Sequence, residues 1–204
     1  MSFTPDRRLI VSGLLATPLV ALPSASFANA NEPILGDVVM GDPEAPVTVI
    51  EYASLTCPHC ASFHKTTWPK LKEAYVDTGK IRFIMREVYF DKYGLWASMA
   101  ARCGGEKGFY PMVDAYLNNQ STWTRADNPG AEIQKIARRS GLGEERLRAC
   151  MSDQDYAKTL IESYQTNAEA DGVRATPSFI VNGELHSNMS FDEFAALLDE
   201  ALGS

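Results

Sequence analysis

The chain has 204 residues, 45% of them hydrophobic, which is enough for one globular domain with a buried core. Its 19 basic and 26 acidic side chains give a net charge of −7 at neutral pH. Because the excess is acidic and no basic stripe alternates with aromatic residues, we expect no nucleic acid partner and no binding to anionic lipid.

Residues 1–30 have the three parts of a secretory signal. Arg7 and Arg8 precede an apolar run of about 14 residues, 9–22, and small residues follow as far as the sequence Ala-Asn-Ala at 28–30. The run is shorter than the roughly 20 apolar residues that span a bilayer. We therefore expect a signal peptide that is cleaved after residue 30, by either the general secretory or the twin-arginine route. The mature chain would then carry 17 basic and 25 acidic side chains, a net charge of −8.

The next part of the chain predicts the order strand, helix, strand. A short strand at residues 38–40 precedes a run at 47–52 that is rich in β-branched residues. This second run is almost continuously apolar, which is typical of a central strand buried on both faces. Apolar residues at a spacing of four then predict a helix that Pro69 kinks, and residues 80–86 predict another strand.

The pattern changes in the middle of the chain and then returns to strands. Residues 93–167 carry helical signals and almost nothing typical of a strand. A strand at 178–181 is followed by the hairpin turn Asn182-Gly183, a partner strand at 184–185 and the capping box 190–193 of a last helix. The prediction is an α/β fold in which the strands close around an all-helical insertion.

Cys57 and Cys60 are separated by two residues and lie at the start of the first predicted helix. This spacing allows a disulfide within one turn, and it places the first sulfur beside unpaired backbone N–H groups. Those groups and the helix dipole stabilise a thiolate on Cys57, and His59 adds a donor or a positive charge. A stabilised thiolate favours the reduced protein, which makes the disulfide an oxidant.

A metal or haem site is the alternative for such a cysteine pair. Zinc would need two further ligands at a suitable spacing, and the sequence has neither a second C-x-x-C nor an H-x-x-H. Haem attachment would need histidine at position 61, which is alanine. His64 and His186 show no ligand pattern, and we expect both at the surface. We therefore expect no metal and no cofactor.

The cysteine motif and its flanks resemble the DsbA family. The matching stretches are Val-Ile-Glu-Tyr-Ala-Ser-Leu-Thr-Cys-Pro-His-Cys at 49–60 and Thr-Pro-Ser-Phe-Ile-Val-Asn-Gly at 176–183, and the order of elements agrees over residues 33–204. The resemblance implies a thioredoxin fold with a helical insertion, in a periplasmic enzyme that introduces disulfides into exported bacterial proteins. The implied division of the chain is a signal peptide at 1–30, a thioredoxin-like domain at 31–90 plus 168–204, and a helical insertion at 91–167.

The resemblance also implies roles for individual residues of the motif. Cys57 matches the nucleophile that forms the mixed disulfide, and Cys60 matches the buried resolving cysteine. His59 matches the histidine that stabilises the thiolate. Pro177 matches the cis-proline that lies beside the disulfide, where residue 176 binds an extended substrate. Thr176 stands where the family's type protein has valine, and a hydroxyl near the cysteines would weaken a strongly oxidising potential.

Glu51 lies six residues before the first cysteine, on the predicted central strand. Its apolar neighbours favour burial, where a carboxyl pKa rises; a solvent-facing strand residue is the alternative. The DsbA family has an acidic residue here, which accepts or returns the proton of the resolving cysteine. Arg82 or Arg86 on the next strand is a candidate partner for Glu51, and the sequence does not choose between them.

Cys103 and Cys150 both fall in the helical insertion. A structural disulfide is the simplest interpretation, since an even number of cysteines in an exported chain is typical of an oxidising compartment. Closing a loop of about 48 residues would stabilise the fold by roughly 4 kcal/mol. Two reduced thiols packed as small apolar residues, or a second redox centre, are the alternatives.

The leading functional prediction is a dithiol oxidase that acts on reduced exported proteins. As the resemblance implies, a DsbB-like, quinone-linked membrane oxidase would reoxidise it. A monomer is expected, because only about seven residues precede the first strand, whereas periplasmic isomerases carry an N-terminal dimerisation domain. The alternatives are a disulfide isomerase or reductase, and a chaperone-like module that binds unfolded chains.

Overall fold

The computed structural model describes Met1 and residues 33–203, so the predicted signal peptide lies outside the described residues apart from Met1. The strands are β1 Val39–Gly41, β2 Val47–Ala53, β3 Ile81–Glu87, β4 Ser178–Val181 and β5 Glu184–Ser187. The helices are α1 Pro58–Thr66, α2 Trp68–Leu71, α3 Lys92–Cys103, α4 Glu106–Asn118, α5 Gln120–Trp123, α6 Pro129–Arg139, α7 Glu144–Ser152, α8 Gln154–Ala170 and α9 Phe191–Ala201.

One sheet of five strands has the order β1-β3-β2-β4-β5. β2 and β3 are parallel, and the other neighbouring pairs are antiparallel. β2 is central and largely buried, as the apolar run at 47–52 predicts, and Glu51 on it pairs with Met85 on β3 and Phe179 on β4. The motif at 57–60 begins four residues after β2 ends, so the cysteines lie at the carboxyl edge of the central strand.

The helix after the cysteine motif is interrupted, as Pro69 predicts. α1 ends at Thr66, α2 begins at Trp68, and a five-residue π-helical turn, Lys72–Val76, completes the segment. Proline has no N–H to donate to the preceding turn, and its ring crowds the carbonyl four residues earlier. The break therefore follows from the position of Pro69, and α1 packs as a separate short helix.

One hydrophobic core runs from the sheet and the helices α1, α2 and α9 into the helices of residues 92–170. Phe63 on α1 packs against Phe179 on β4 with 4.8 Å between ring centroids, and Phe179 packs against Phe194 on α9 at 4.9 Å. Trp68 on α2 packs on Phe83 of β3 at 4.1 Å. These rings fix α1 across the centre of the sheet, and with it the cysteine motif.

The helices α3 to α8 all lie between β3 and β4 along the chain, which confirms the predicted α/β fold with an all-helical insertion. We call these six helices the helical insertion. Asp91 caps the first of them, since its carboxylate accepts from the backbone N–H groups of Tyr93 and Gly94. No helix among the described residues is long and apolar enough to cross a bilayer.

Candidate active site

Cys57 is the residue that caps the N-terminus of α1. Its backbone is extended, with φ −79° and ψ 119°, its N–H donates to the Ser54 carbonyl, and Pro58 takes the first helical position. Proline is well suited there because that position has no intrahelical partner for an N–H. Cys57 is 8% exposed and Cys60 is fully buried, and both are free thiols. One sulfur is therefore accessible to a substrate and the other is not.

The two thiols have opposite electrostatic environments. A hydrogen bond from Cys60 lowers the pKa of Cys57 to about 5, against the opposing effect of burial. Thr176 and the backbone N–H groups of Cys60 and His59 lower it further, whereas the His59 side chain is exposed to solvent. The same hydrogen bond, burial and the charge on Glu51 raise the pKa of Cys60 far above its usual range. At neutral pH Cys57 is a thiolate and Cys60 is a thiol.

Thr176 and Pro177 lie beside the first cysteine. The peptide bond between them is cis, and the Thr176 carbonyl oxygen lies 3.5 Å from the Cys57 sulfur, within reach of a hydrogen bond from its protonated form. They immediately precede β4, the strand that pairs with β2. The adjacent positions of β2 and β4 in the sheet thus bring together residues that are 119 positions apart in the chain.

Glu51 is fully buried and its partner is His64. The Nε2 atom of His64 lies 2.8 Å from the Glu51 Oε2 atom, and His64 is only 4% exposed. The prediction that His64 is a surface residue is therefore wrong. His64 follows Cys60 by four residues, one turn of α1, so both side chains lie on the helix face that is packed on the sheet. That spacing was the available signal in the sequence.

Neither Arg82 nor Arg86 binds Glu51. Glu51 pairs with Met85, and successive side chains along a strand point to opposite faces. Arg82 and Arg86 therefore lie on the other face of the sheet from Glu51. Arg82 donates from Nε to the Thr48 hydroxyl at 2.7 Å, and Arg86 forms ion pairs with two aspartates. The prediction that Arg82 or Arg86 is the partner of Glu51 is therefore wrong, because the register of β3 places both arginines on the opposite face.

Two side chains brace the loop between β2 and α1. Gln120 on α5 donates from Nε2 to the carbonyls of Leu55 and Cys57, at 3.0 and 2.8 Å. The Thr56 hydroxyl donates to the Asp91 carboxylate at 2.7 Å. The helical insertion thus holds the backbone that carries Cys57, a contact that no local sequence pattern indicates.

The second cysteine pair lies in the helical insertion. Cys103 at the end of α3 and Cys150 on α7 form a disulfide with 6.4 Å between their α-carbons, and both are buried. The bond joins α3 to α7, and both of its cysteines lie far along the chain from the motif at 57–60. Within the part of the chain that the structure describes, no group of three or more His, Cys, Asp or Glu side chains is placed to hold a metal ion.

The chain that carries this arrangement of an N-cap cysteine, a buried second cysteine and an adjacent cis-proline is similar to known proteins. Residues 34–200 match the family model of thioredoxin. The crystal structure of alpha-DsbA1 from Wolbachia pipientis is 30% identical, with a TM-score of 0.77, and the match covers 86% of this chain and 96% of that chain. The chain belongs to the DsbA family of thiol–disulfide oxidoreductases.

Further relatives of this DsbA-family chain agree with that assignment. A Rickettsia bellii protein, provisionally named a protein-disulfide oxidoreductase, is 36% identical over 167 residues, which is 81% of this chain and 64% of that protein. The chain therefore spans less than two thirds of that relative. The structure of BdbD from Bacillus subtilis shares the fold, with a TM-score of 0.72 at 21% identity over 86% of this chain and 98% of that chain.

Proposed function

We propose that the protein is a periplasmic dithiol oxidase that donates the Cys57–Cys60 disulfide to exported proteins. The observation that carries this proposal is the contrast between the two thiols, a pKa of about 5 for Cys57 and a raised pKa for the buried Cys60. A stabilised thiolate favours the reduced protein, so the Cys57–Cys60 disulfide readily oxidises a pair of substrate thiols.

The reaction consists of two thiol–disulfide exchanges. A substrate thiolate attacks the Cys57 sulfur, the Cys57–Cys60 bond breaks, and Cys60 takes up a proton. A second substrate thiolate then attacks the substrate sulfur of the mixed disulfide, and Cys57 leaves as a thiolate. The substrate loses two electrons and gains a disulfide, and the protein gains the two electrons.

The residues around Cys57 have distinct roles in this scheme. Thr176 and Pro177 lie beside the nucleophile and hold an extended substrate backbone. Glu51 supplies the proton that Cys60 takes up and accepts it back on reoxidation; its burial and its effect on the Cys60 pKa support this role. His59 contributes through its backbone N–H to the Cys57 thiolate.

The partners follow from the same scheme. The substrates are reduced or unfolded exported proteins with cysteines, and a DsbB-like membrane oxidase removes the two electrons. The protein acts as a monomer. Its chain is organised as a thioredoxin-like domain, residues 31–90 plus 168–204, with a helical insertion at 91–167. The Cys103–Cys150 bond is structural, because both sulfurs are buried inside the helical insertion and inaccessible to a substrate.

The test is oxidation of a reduced, unfolded two-cysteine protein, together with a redox titration of the Cys57–Cys60 pair against glutathione. The oxidised protein should transfer its disulfide, and the double variant C57S/C60S should be inactive. A double variant that still assists folding would instead identify a chaperone-like module. Faster repair of a scrambled disulfide protein than oxidation of a reduced one would identify an isomerase. Thiolate absorbance of Cys57 that titrates at or above about pH 8 would contradict the oxidase.

A further inference from the structure

A carboxylate and an imidazole are buried together below the resolving cysteine. Glu51 is fully buried and His64 is 4% exposed, with 2.8 Å between the Oε2 and Nε2 atoms. Among the described residues, the Glu51 Oε1 and His64 Nδ1 atoms are buried without a hydrogen-bond partner. Burying such a pair carries a desolvation cost that often exceeds its Coulombic gain, so the pair is poorly explained as a source of stability.

The Glu51 end of the pair lies near Cys60, and the His64 end lies near a partly exposed side chain. At the inner end, the charge on Glu51 is one cause of the raised pKa of Cys60. At the outer end, the His64 Nδ1 atom lies 3.9 Å from the Oδ1 atom of Asp114 on α4, whose side chain is 44% exposed. Partial burial raises the pKa of the Asp114 carboxyl, which favours its accepting a proton. Glu51, His64 and Asp114 thus form a row from the core to the surface.

Few other titratable groups lie near this row. Lys72, in the π-helical turn, and His64 act on Asp114 by their charges and lower the pKa of its carboxyl. Tyr110 on α4 is also near Glu51, but its hydroxyl donates to the Val38 carbonyl at 2.7 Å and burial raises its pKa, so it stays neutral. The rings of Phe63 and Trp68 also pack near His64, and neither ring titrates. Among the described residues, the imidazole is therefore placed to connect the two carboxyl groups, because its Nε2 faces Glu51 and its Nδ1 faces Asp114.

We propose that His64 passes the Cys60 proton between Glu51 and Asp114, so that the buried thiol exchanges its proton with solvent along α1 and α4. The inference rests on the proposed function only in assigning Cys60 as the resolving thiol. When the disulfide closes, the proton leaves Cys60 for Glu51 as the Cys60 sulfur attacks. In this step the neutral His64 ring carries its proton on Nδ1, takes the new proton at Nε2 and releases the Nδ1 proton towards Asp114, which leaves an Nε2–H that donates to the Glu51 carboxylate. Opening of the disulfide reverses each transfer.

The test isolates the step in which Cys60 loses its proton. Reduced protein is mixed with excess of the aromatic disulfide dithionitrobenzoate in a stopped-flow instrument. Cys57 attacks first, which releases one thionitrobenzoate at a rate that depends on reagent concentration. Cys60 then attacks the Cys57 mixed disulfide, which forms the Cys57–Cys60 bond and releases a second thionitrobenzoate and one proton. The second release is intramolecular, so its rate is independent of reagent concentration.

The key variant is H64Q, because the glutamine amide can still donate to the Glu51 carboxylate or accept from its protonated form but cannot pass a proton. General acid–base groups contribute about 10²–10⁴-fold, so we expect the second release to slow by at least about tenfold near pH 7 and the first to be unchanged. The slowing should shrink as pH rises, since hydroxide then removes the Cys60 proton directly. H186Q is the matched control and should behave as the unaltered protein does. D114N, at a half-exposed position, should slow the second release in the same direction.

The outcomes separate the relay from a structural role. A second release in H64Q within about twofold of the unaltered protein at every pH would overturn the relay, as would slowing by one constant factor at all pH values. If H64Q fails to fold, D114N decides, and an unchanged second release in D114N overturns the proposal. The assay needs no protein substrate and no membrane partner. A normal relay in a chain that fails to oxidise proteins would therefore contradict the proposed function alone.

Discussion

The stability of the reduced protein should depend on pH through Cys57. Its pKa falls from an ordinary value of 9.0 to about 5 in the fold. A group whose folded pKa is lowered stabilises the fold fully above the unfolded pKa, and this contribution is lost as pH falls through the folded pKa. The window for Cys57 is therefore about pH 9 down to about pH 5. The disulfide form has no thiolate, so it lacks this contribution at every pH.

The size of the effect follows from the two pKa values. A pH of about 7 lies about two units above the folded pKa of Cys57. At about 1.36 kcal/mol per unit, the thiolate then contributes about 2.7 kcal/mol to the free energy of unfolding. Near pH 5 the contribution falls to about 0.4 kcal/mol. Since the sulfur reaches solvent and is partly screened, we expect a loss of about 2 kcal/mol between these pH values. For a domain of this size that corresponds to roughly 4–8 °C in melting temperature.

The measurement is thermal unfolding of the reduced protein in a phosphine reductant, at several pH values from about 7 to 5. Other groups also titrate in this range, so the control is C57S, which lacks the thiolate and keeps the rest of the site. The free energy of unfolding of the unaltered protein should fall by about 2 kcal/mol more than that of C57S. Parallel curves for the two proteins would refute the assignment of Cys57 as a stabilised thiolate.

Three further substitutions test other parts of the site. C103S/C150S should lower the free energy of unfolding by about 2–5 kcal/mol in thermal melts and leave dithiol oxidation largely intact; unchanged stability with lost oxidation would make this pair a redox relay. E51Q should fold normally yet slow the release step of Cys60, and an unchanged rate across neutral pH would speak against a proton role. Q120A should cost about 1–3 kcal/mol in urea unfolding, because two buried carbonyls lose their donor, and an unchanged midpoint would contradict the brace.

Residues whose environment is set by neighbours in the chain could be predicted from the sequence. The apolar run around Glu51 indicated a buried central strand, and the spacing of the cysteines at a helix start indicated one stabilised thiolate. Partners set by packing could not be predicted. The role of His64 depends on how α1 lies across β2. The exclusion of Arg82 as a partner of Glu51 depends on the register of β3, because a slip of one residue would move every side chain of that strand to the other face of the sheet. Only the four-residue spacing from Cys60 pointed to His64.

The helical insertion has a direct effect on the chemistry of the sheet domain. Gln120 and Asp91 belong to elements that follow β3, yet they bond to the loop that carries Cys57. The pKa of Cys57 depends on hydrogen bonds whose donors must hold their positions relative to the sulfur. A loop free to move would lose part of that stabilisation, because such bonds weaken steeply away from their preferred geometry. The Cys103–Cys150 bond joins the end of α3 to α7, and Asp91 caps the start of α3 and accepts from Thr56, so the helix in contact with the Cys57 loop is itself cross-linked within the insertion.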